Sequence, residues 1–397
     1  MNGLDETLGR ALHDTAERYH PSEVAAARER FAQRRRTRRM VRGAATLAAV
    51  AACIAGLALL VDPEVSVTQP IRPASGSVIT VGDAPGAIAI FDGAAWVVNE
   101  GDGTVTRVDA RSTEVEEIEL DDQARPHSIT EGQNALWFTD EFLPGFAPIE
   151  PEKSTVPTSF PVAGPGSDVR FGDIVVGAGQ VWIANTLDGD SRVSTFVLDE
   201  DPGEGAGHTY LSGGEGMVEL AFGGSGAWRS YAETVGPYAE GPPHRVRVAQ
   251  VAGAGDLTYG AESLWTVVEG GAVVRLAPKV RRITVDEDGE VTRDEDGEVT
   301  REEPVGLEIS AKIAANAEPD ARIAFGEGSV WVVSGASGTG ELVQIDPAKD
   351  EVVGRFRLSG GPFSVAADAG WLWVTDEDGD RIMRIDPKSP GGRPSTP

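Results

Sequence analysis

Seven times along the chain a turn is followed by a short run in which residues alternate around a tryptophan: GAAWVVN, NALWFTD, GQVWIAN, SGAWRSY, ESLWTVV, GSVWVVS and GWLWVTD. Period-two alternation places the tryptophan and the residue two later on one face of a strand. The tryptophans stand at 96, 137, 182, 228, 265, 331 and 373, with Trp371 an extra beside the last, giving spacings of 41, 45, 46, 37, 66 and 42 residues. A period of about 40–45 residues in a strand-rich chain is the length of one four-stranded propeller blade. The expectation is an all-β fold, a seven-bladed β-propeller spanning 76–387.

The segments flanking each tryptophan supply the other strands. Short runs at 87–91, 128–130, 173–176, 218–222, 256–259, 322–325 and 363–367 suit the innermost strand a, expected to be small and apolar because the blades converge there. GDGTVTRVD at 101–109, GELVQID at 340–346 and GDRIMRID at 379–386 read as strand c, and 114–120 or 352–358 as the outer strand d. The last repeat ends after strand c, while 77–81 precedes the first strand a without a blade of its own. That N-terminal strand is expected to complete blade seven, removing the free sheet edges that would template aggregation.

The 66-residue interval holds DEDGEVTR at 286–293, repeated unchanged at 294–301. Residues 282–285, 290–293 and 298–301 predict short strands joined by Asp-Gly turns, a protruding meander in blade five. Its Asp-x-Asp-Gly strings lack the further oxygen ligands and terminal Glu of a calcium loop. Two inserts, 141–161 and 232–243, are expected to rise over one face as loops carrying Phe142, Phe146, Phe160 and Tyr238.

Ahead of the repeats the pattern changes. Residues 43–61 form a run of 19 without a charge, roughly 28 Å as helix and close to the hydrocarbon thickness of a bilayer. Eight arginines (28, 30, 34, 35, 36, 38, 39, 42) precede it and Asp62 and Glu64 follow, which orients a single-pass anchor with its N-terminus in the cytoplasm. Residues 1–42 predict a cytoplasmic helical tail, with Leu4, Leu8, Leu12 and Tyr19 near one stripe; 62–75 read as a linker and 388–397 as a disordered tail. Three alternatives compete: a buried core helix, a cleaved signal peptide, and a lipobox at Val50-Ala51-Ala52-Cys53 that would lipidate Cys53. The expected location is the cell membrane with the propeller outside, the lipid bilayer being one partner.

Charge narrows the function classes. With 35 basic and 63 acidic residues the net charge is −28; residues 1–42 carry ten Arg and six acids, leaving −32 for the rest. Nucleic acid is excluded as a partner on that balance. The single cysteine rules out an intramolecular disulfide. No G-x-S-x-G elbow, Walker A loop or H-E-x-x-H is present, and GEGAGHTYLSGGEG at 203–216 lacks the Lys and helix of a phosphate cradle.

The repeats, above all PHSITEGQNALWFTD at 126–140 and PFSVAADAGWLWVTDEDGDRIMRID at 362–386, resemble the YVTN-type and virginiamycin B lyase-like β-propellers of bacteria. An Arg-over-Lys bias of 30 to 5 agrees with a bacterial source by association. The resemblance covers about 310 of 397 residues and implies a loop face, reached by the d–a and b–c loops, as the place of chemistry. That face gathers Arg125 and His127 with Asn99, Asp140, Asn185, Tyr231, Ser334 and Asp376 at the ends of b strands, as candidate binding residues. The lyase-like family uses His and Glu side chains with a divalent metal such as Mg, which makes His127 and Glu141 the candidate catalytic residues. A second His–acid pair is missing; His208 and His244 lie in Gly- and Pro-rich stretches.

The expectation is therefore a membrane-anchored, extracytoplasmic binding module that takes a protein or small-molecule ligand on its loop face and needs no cofactor. The alternatives are a metal-dependent lyase- or lactonase-like enzyme on that face and a transmembrane signalling protein.

Overall fold

A computed structural model describes residues 72–391 apart from 121–123, 142–144, 150–159, 163–168, 188–189, 199–206, 212–217, 224–225, 232–233, 238–247, 286–290, 293–298, 319 and 336–338. The tail, the uncharged run and most of the linker lie outside the described residues, as do Phe142, Tyr238, His244 and the Asp-Gly turns of the duplication. Among the described residues no helix is long and apolar enough to cross a membrane; 43–61 is not among them.

The tryptophan phrases become strand b of seven sheets: Ala94–Asn99, Ala135–Asp140, Gln180–Leu187, Gly226–Tyr231, Ser263–Val268, Ser329–Ser334 and Trp371–Asp376. In every blade the tryptophan lies opposite the residue seven earlier in strand a, from Ala89 and Trp96 to Ala366 and Trp373. The chain is an all-β, seven-bladed propeller.

Each indole supplies two things the blade needs: a wide apolar plate between sheets and one N–H. In five blades that N–H donates to the carbonyl five residues back, at Phe91, Gly132, Gly223, Gly260 and Gly326, over 3.3, 3.0, 2.9, 2.9 and 3.1 Å, pinning the a–b hairpin. The buried Trp182 and Trp373 indoles have no such partner. Glycine five residues before the tryptophan has a steric reason whether or not its carbonyl accepts. A Cβ at Gly177, Gly223 or Gly260 would stand 2.2, 2.2 and 1.9 Å from ring atoms of Phe222, Tyr259 and Phe325, each on strand a of the next blade. Neighbouring blades thus interlock, ring over glycine.

Closure follows the sequence expectation. Gly76–Thr80 pairs antiparallel with Arg381–Ile385 and forms the outermost strand of blade seven. Upstream of it Arg72–Pro73, expected within the linker, pairs in parallel with Glu351–Ser359 and gives blade six a fifth strand.

Three expectations are corrected. The 141–161 insert contains strand c, Gly145–Ile149, and strand d, Phe160–Pro161, of blade two. Phe146 is buried and stacks on Phe160 with centroids 5.2 Å apart, so both fill the core shared with blade three. Gly145 and Pro148 hid the strand because neither is a strand former. Likewise Thr234–Pro237 is strand c of blade four, and Gly207–Leu211, read as glycine-rich loop, is strand d of blade three. In blade five the duplication does not make successive hairpins. Strand c, Ala272–Val285, pairs with strand b only as far as Leu276 and continues against Val299–Ile313 as a two-stranded arm. Val291–Thr292 from the first copy and Val299 from the second both pair with the end of that strand at Thr284–Val285.

Candidate functional site

The residue nine positions before each tryptophan is Ala87, Ser128, Asp173, Glu219, Asp256, Arg322 or Ser364, in blade order. In five blades the a–b register slips just there, between Pro85 and Ile88, Pro126 and Ile129, Phe171 and Ile174, Ala254 and Leu257, and Pro362 and Val365. Such bulges re-aim a side chain out of the sheet. All seven residues line one central cavity of about 560 Å³. The expected small, apolar strand a is corrected here: blades three to six place four charges on one side of the channel.

Those four charges are tied to one another and to neighbouring blades. Asp173 Oδ2 accepts the Leu220 N–H of blade four at 2.8 Å. Asp256 Oδ1 accepts Leu257 N–H at 2.9 Å, and its Oδ2 accepts the Ile323 N–H of blade six at 2.7 Å. Oxygens of Asp173, Glu219 and Asp256 all fall within 4.8 Å of one another. Arg322 Nη1 lies 3.7 Å from Glu219 Oε2, with its guanidinium 5.6 Å over the Phe363 ring. Three carboxyls this close cannot all ionise against one guanidinium. Burial pushes Asp256 up to about 6, opposed by Arg322 and reinforced by Asp173. Burial also holds Glu219 well above the usual carboxylate range, helped by the charges of Asp173 and Asp256 and a hydrogen bond to Asp173. Arg322 is itself desolvated, but Asp256, Glu219, Asp173 and Asp320 more than compensate and keep it charged.

A second cleft of about 370 Å³ shares Arg322 and Phe363 with the channel and runs along the seam of blades six and seven past Ser334, Glu377 and Asp378. Arg322 and Phe363 thus stand between the two cavities.

The residues expected on the loop face divide into two sets. Asn99 is buried and its Nδ2 donates to the Thr104 and Thr106 hydroxyls at 2.8 Å each. Asn185, also buried, donates to Ile183 O at 3.1 Å and Ser194 Oγ at 2.9 Å. Asp140 accepts the Arg125 N–H at 3.1 Å; Asp376 accepts the Gly361 N–H at 2.8 Å and Arg381 Nε at 2.6 Å. Asn99, Asp140 and Asp376 stand at the ends of b strands and tie the adjoining segments, whereas Asn185 lies inside its strand and bonds across to strand c. Tyr231 ends its strand opposite Thr234, and exposed Arg125 precedes strand a of blade two. Among the expected loop-face residues whose side chains are described, only His127 joins the channel wall, with Nδ1 3.1 Å from Glu100 Oε1; Glu141 is close enough to act on it electrostatically.

The His–acid metal set implied by the resemblance does not fit. Among the described residues the carboxyl oxygens that converge are those of Asp173, Glu219 and Asp256, not His127 and Glu141. Both aspartates there are engaged by backbone N–H groups, and Arg322 already supplies a cation. The convergent set was readable in the sequence, by counting back nine residues from each tryptophan; Glu100 carried no such signal.

Neither a protein-family model nor a curated protein matches the sequence. Solved structures do match. The virginiamycin B lyase of Staphylococcus aureus is 16% identical with a TM-score of 0.55, covering 79% of this chain and 99% of its own, and a catalytically inactive form of that lyase with quinupristin gives the same values. The Cps50 (Swd1) β-propeller domain of Myceliophteria thermophila is 11% identical with a TM-score of 0.57, covering 79% and 99%; YCF48 bound to D1 peptide is 13% identical with a TM-score of 0.50, covering 80% and 99%. At these identities the likeness concerns architecture: the chain carries a seven-bladed β-propeller similar to that of virginiamycin B lyase.

Proposed function

We propose that the protein is a membrane-anchored, extracytoplasmic binding module that receives a ligand or partner segment bearing a basic group at the channel mouth. The observation that carries this reading is the one-sided ring: four consecutive blades place Asp173, Glu219, Asp256 and Arg322 at one repeat position around a cavity. Converging polar groups in a concavity between blades are the usual make-up of a ligand seat. The acidic wall, with Phe171, Tyr259 and Phe363 beside it, selects a cation carried on an apolar body. Support for the anchor is the 19-residue uncharged run behind eight arginines. Extending the loop-face reading, His127 is the member that meets this ligand, while Asn99, Asp140, Asn185 and Asp376 hold the strands around it.

Titration of the full-length protein with a lysine-rich peptide and with a glutamate-rich peptide of equal length tests the seat. The lysine-rich peptide binds, and Asp173→Asn, which removes a carboxylate of the same wall, weakens it several-fold; equal binding of both peptides sinks the reading. Protease added outside intact cells digests the propeller, and protection there sinks the stated topology. The enzyme alternative keeps one observation in its favour, the His127–Glu100 pair at the cavity wall. Turnover of a cyclic ester that is lost in His127→Gln would decide for it.

A further inference from the structure

The channel mouth is crossed by a side-chain pair between blades one and two that the acidic ring does not include. His127 stands next to the ring residue Ser128, ten positions before Trp137; the matching position in blade one is Gly86. Glu100 follows the last residue of strand b in blade one, and its turn is fixed by two backbone bonds, Glu100 N–H to Ala84 O at 3.1 Å and Gly101 N–H to Asp83 O at 3.1 Å. A Cβ at Gly86 would stand 2.9 Å from Glu100 Oε1, so the missing side chain leaves the carboxylate free to lie across strand a. From there it reaches His127 Nδ1 at 3.1 Å. Both side chains are about one-third exposed, at 32% and 39%, and so within reach of solvent protons.

The charges facing the imidazole come from three blades: Glu100 after strand b of blade one, Glu141 after strand b of blade two, and Asp173 on strand a of blade three. Glu377, on blade seven, faces Glu100 from the other side. We propose that His127 is a proton-operated latch on the channel mouth: as imidazolium it ties blade one to blade two through a charged hydrogen bond to Glu100 and sets a positive charge near Asp173, and on losing its proton it keeps at most a neutral hydrogen bond to Glu100 and leaves that side of the mouth acidic. The consequence for binding rests on the channel mouth being the ligand seat, as proposed above. A basic ligand then binds more tightly as the pH rises through the His127 titration.

Burial alone would disfavour the imidazolium, but the Glu100 hydrogen bond and the charges of Glu100, Glu141 and Asp173 outweigh it and hold His127 above its ordinary 6.5. A raised folded-state value means that the latch contributes stability below 6.5 and loses it as the pH climbs through the folded value.

The test is an NMR titration of the full-length protein with 13Cε1-labelled histidine, the His127 signal being assigned by its loss in His127→Gln. The expected midpoint lies above 6.5 and falls in Glu100→Gln, with unchanged tryptophan fluorescence showing that the blades remain folded. A midpoint at or below 6.5, or one that Glu100→Gln leaves in place, overturns the latch. In a second arm a lysine-rich peptide binds the wild type more tightly above the midpoint than below it, and in His127→Gln the difference shrinks to the part that Asp256 and Glu219 contribute; an undiminished difference overturns the coupling to binding. A pH-independent affinity in the wild type overturns the coupling to binding. Absence of peptide binding at every pH removes the ligand seat instead, and the titration alone then decides the latch.

Discussion

The half-buried carboxyl of Asp256 makes the propeller less stable as the pH rises, and Asp256→Asn exposes that effect. Unfolded, the aspartate titrates near its ordinary 3.8; folded, it titrates at about 6. Between those values the folded chain holds a proton that the unfolded chain has released, so each rise in pH favours unfolding. The associated stability is complete below 3.8 and gone above the folded value. At about 1.4 kcal/mol per pH decade the gap corresponds to about 3 kcal/mol. Asparagine keeps an oxygen for the Ile323 N–H, gives up the one that accepts from Leu257 N–H, and cannot ionise, while Glu219 and Asp173 remain to face Arg322. Wild type and variant are compared by denaturant unfolding from about pH 4 to about pH 7.5, using the difference between them so that groups outside the cluster cancel. The variant carries a constant loss for the second backbone N–H, and its difference from the wild type is expected to shift in its favour by up to about 3 kcal/mol between the acid end and the other. A flat difference, or a wild type that gains on the variant with rising pH, would refute the claim that burial keeps this carboxyl protonated.

Three further outcomes follow from the packing. Trp265→Phe removes an indole N–H bonded to Gly260 O at 2.9 Å, whereas Trp182→Phe removes none; by denaturant midpoint the first is expected to cost about 1 kcal/mol more than the second. Gly260→Ala places a Cβ 1.9 Å from Phe325 Cγ and is expected to cost about 1–3 kcal/mol or more, with partial recovery in the double variant with Phe325→Leu; additive losses would show that the ring–glycine contact is not the cause. Asp376→Asn weakens a charge-assisted bond to Arg381 while keeping an acceptor for Gly361 N–H, and thermal unfolding should register a loss of about 1–2 kcal/mol.

Much of the fold was legible because the tryptophan strands repeat one arrangement. The phrase around each indole fixed strand b, and the unmatched run at 77–81 announced the closing strand, which forms at Gly76–Thr80. What escaped notice lacks a local signal. The outer strands of blades two and four, Phe160–Pro161 and Ala249–Gln250, are two residues each and show no alternation. Arg72–Pro73 reads as linker because its pairing partner lies more than 280 residues downstream. The arm of blade five was anticipated as a protrusion, but a duplicated octapeptide does not say which edge each copy will take. At the site, His127 stands out in its repeat, while Asp173, Glu219, Asp256 and Arg322 do not. Inner strands were assumed to be apolar throughout, and each of these charges stands alone in an apolar run. They become a cluster only when the blades are superimposed in phase.

The closing strand also sets a timetable. Gly76–Thr80 leaves the ribosome early and meets Arg381–Ile385 only after roughly 300 further residues, which at ~5–20 residues per second is a wait of about 15–60 s. Until then the inner blades can stack on one another, but the ring is an open arc with a bare edge at its end. Any truncation of synthesis before residue 381 therefore yields a product whose first strand has no mate, however well the intervening blades have formed.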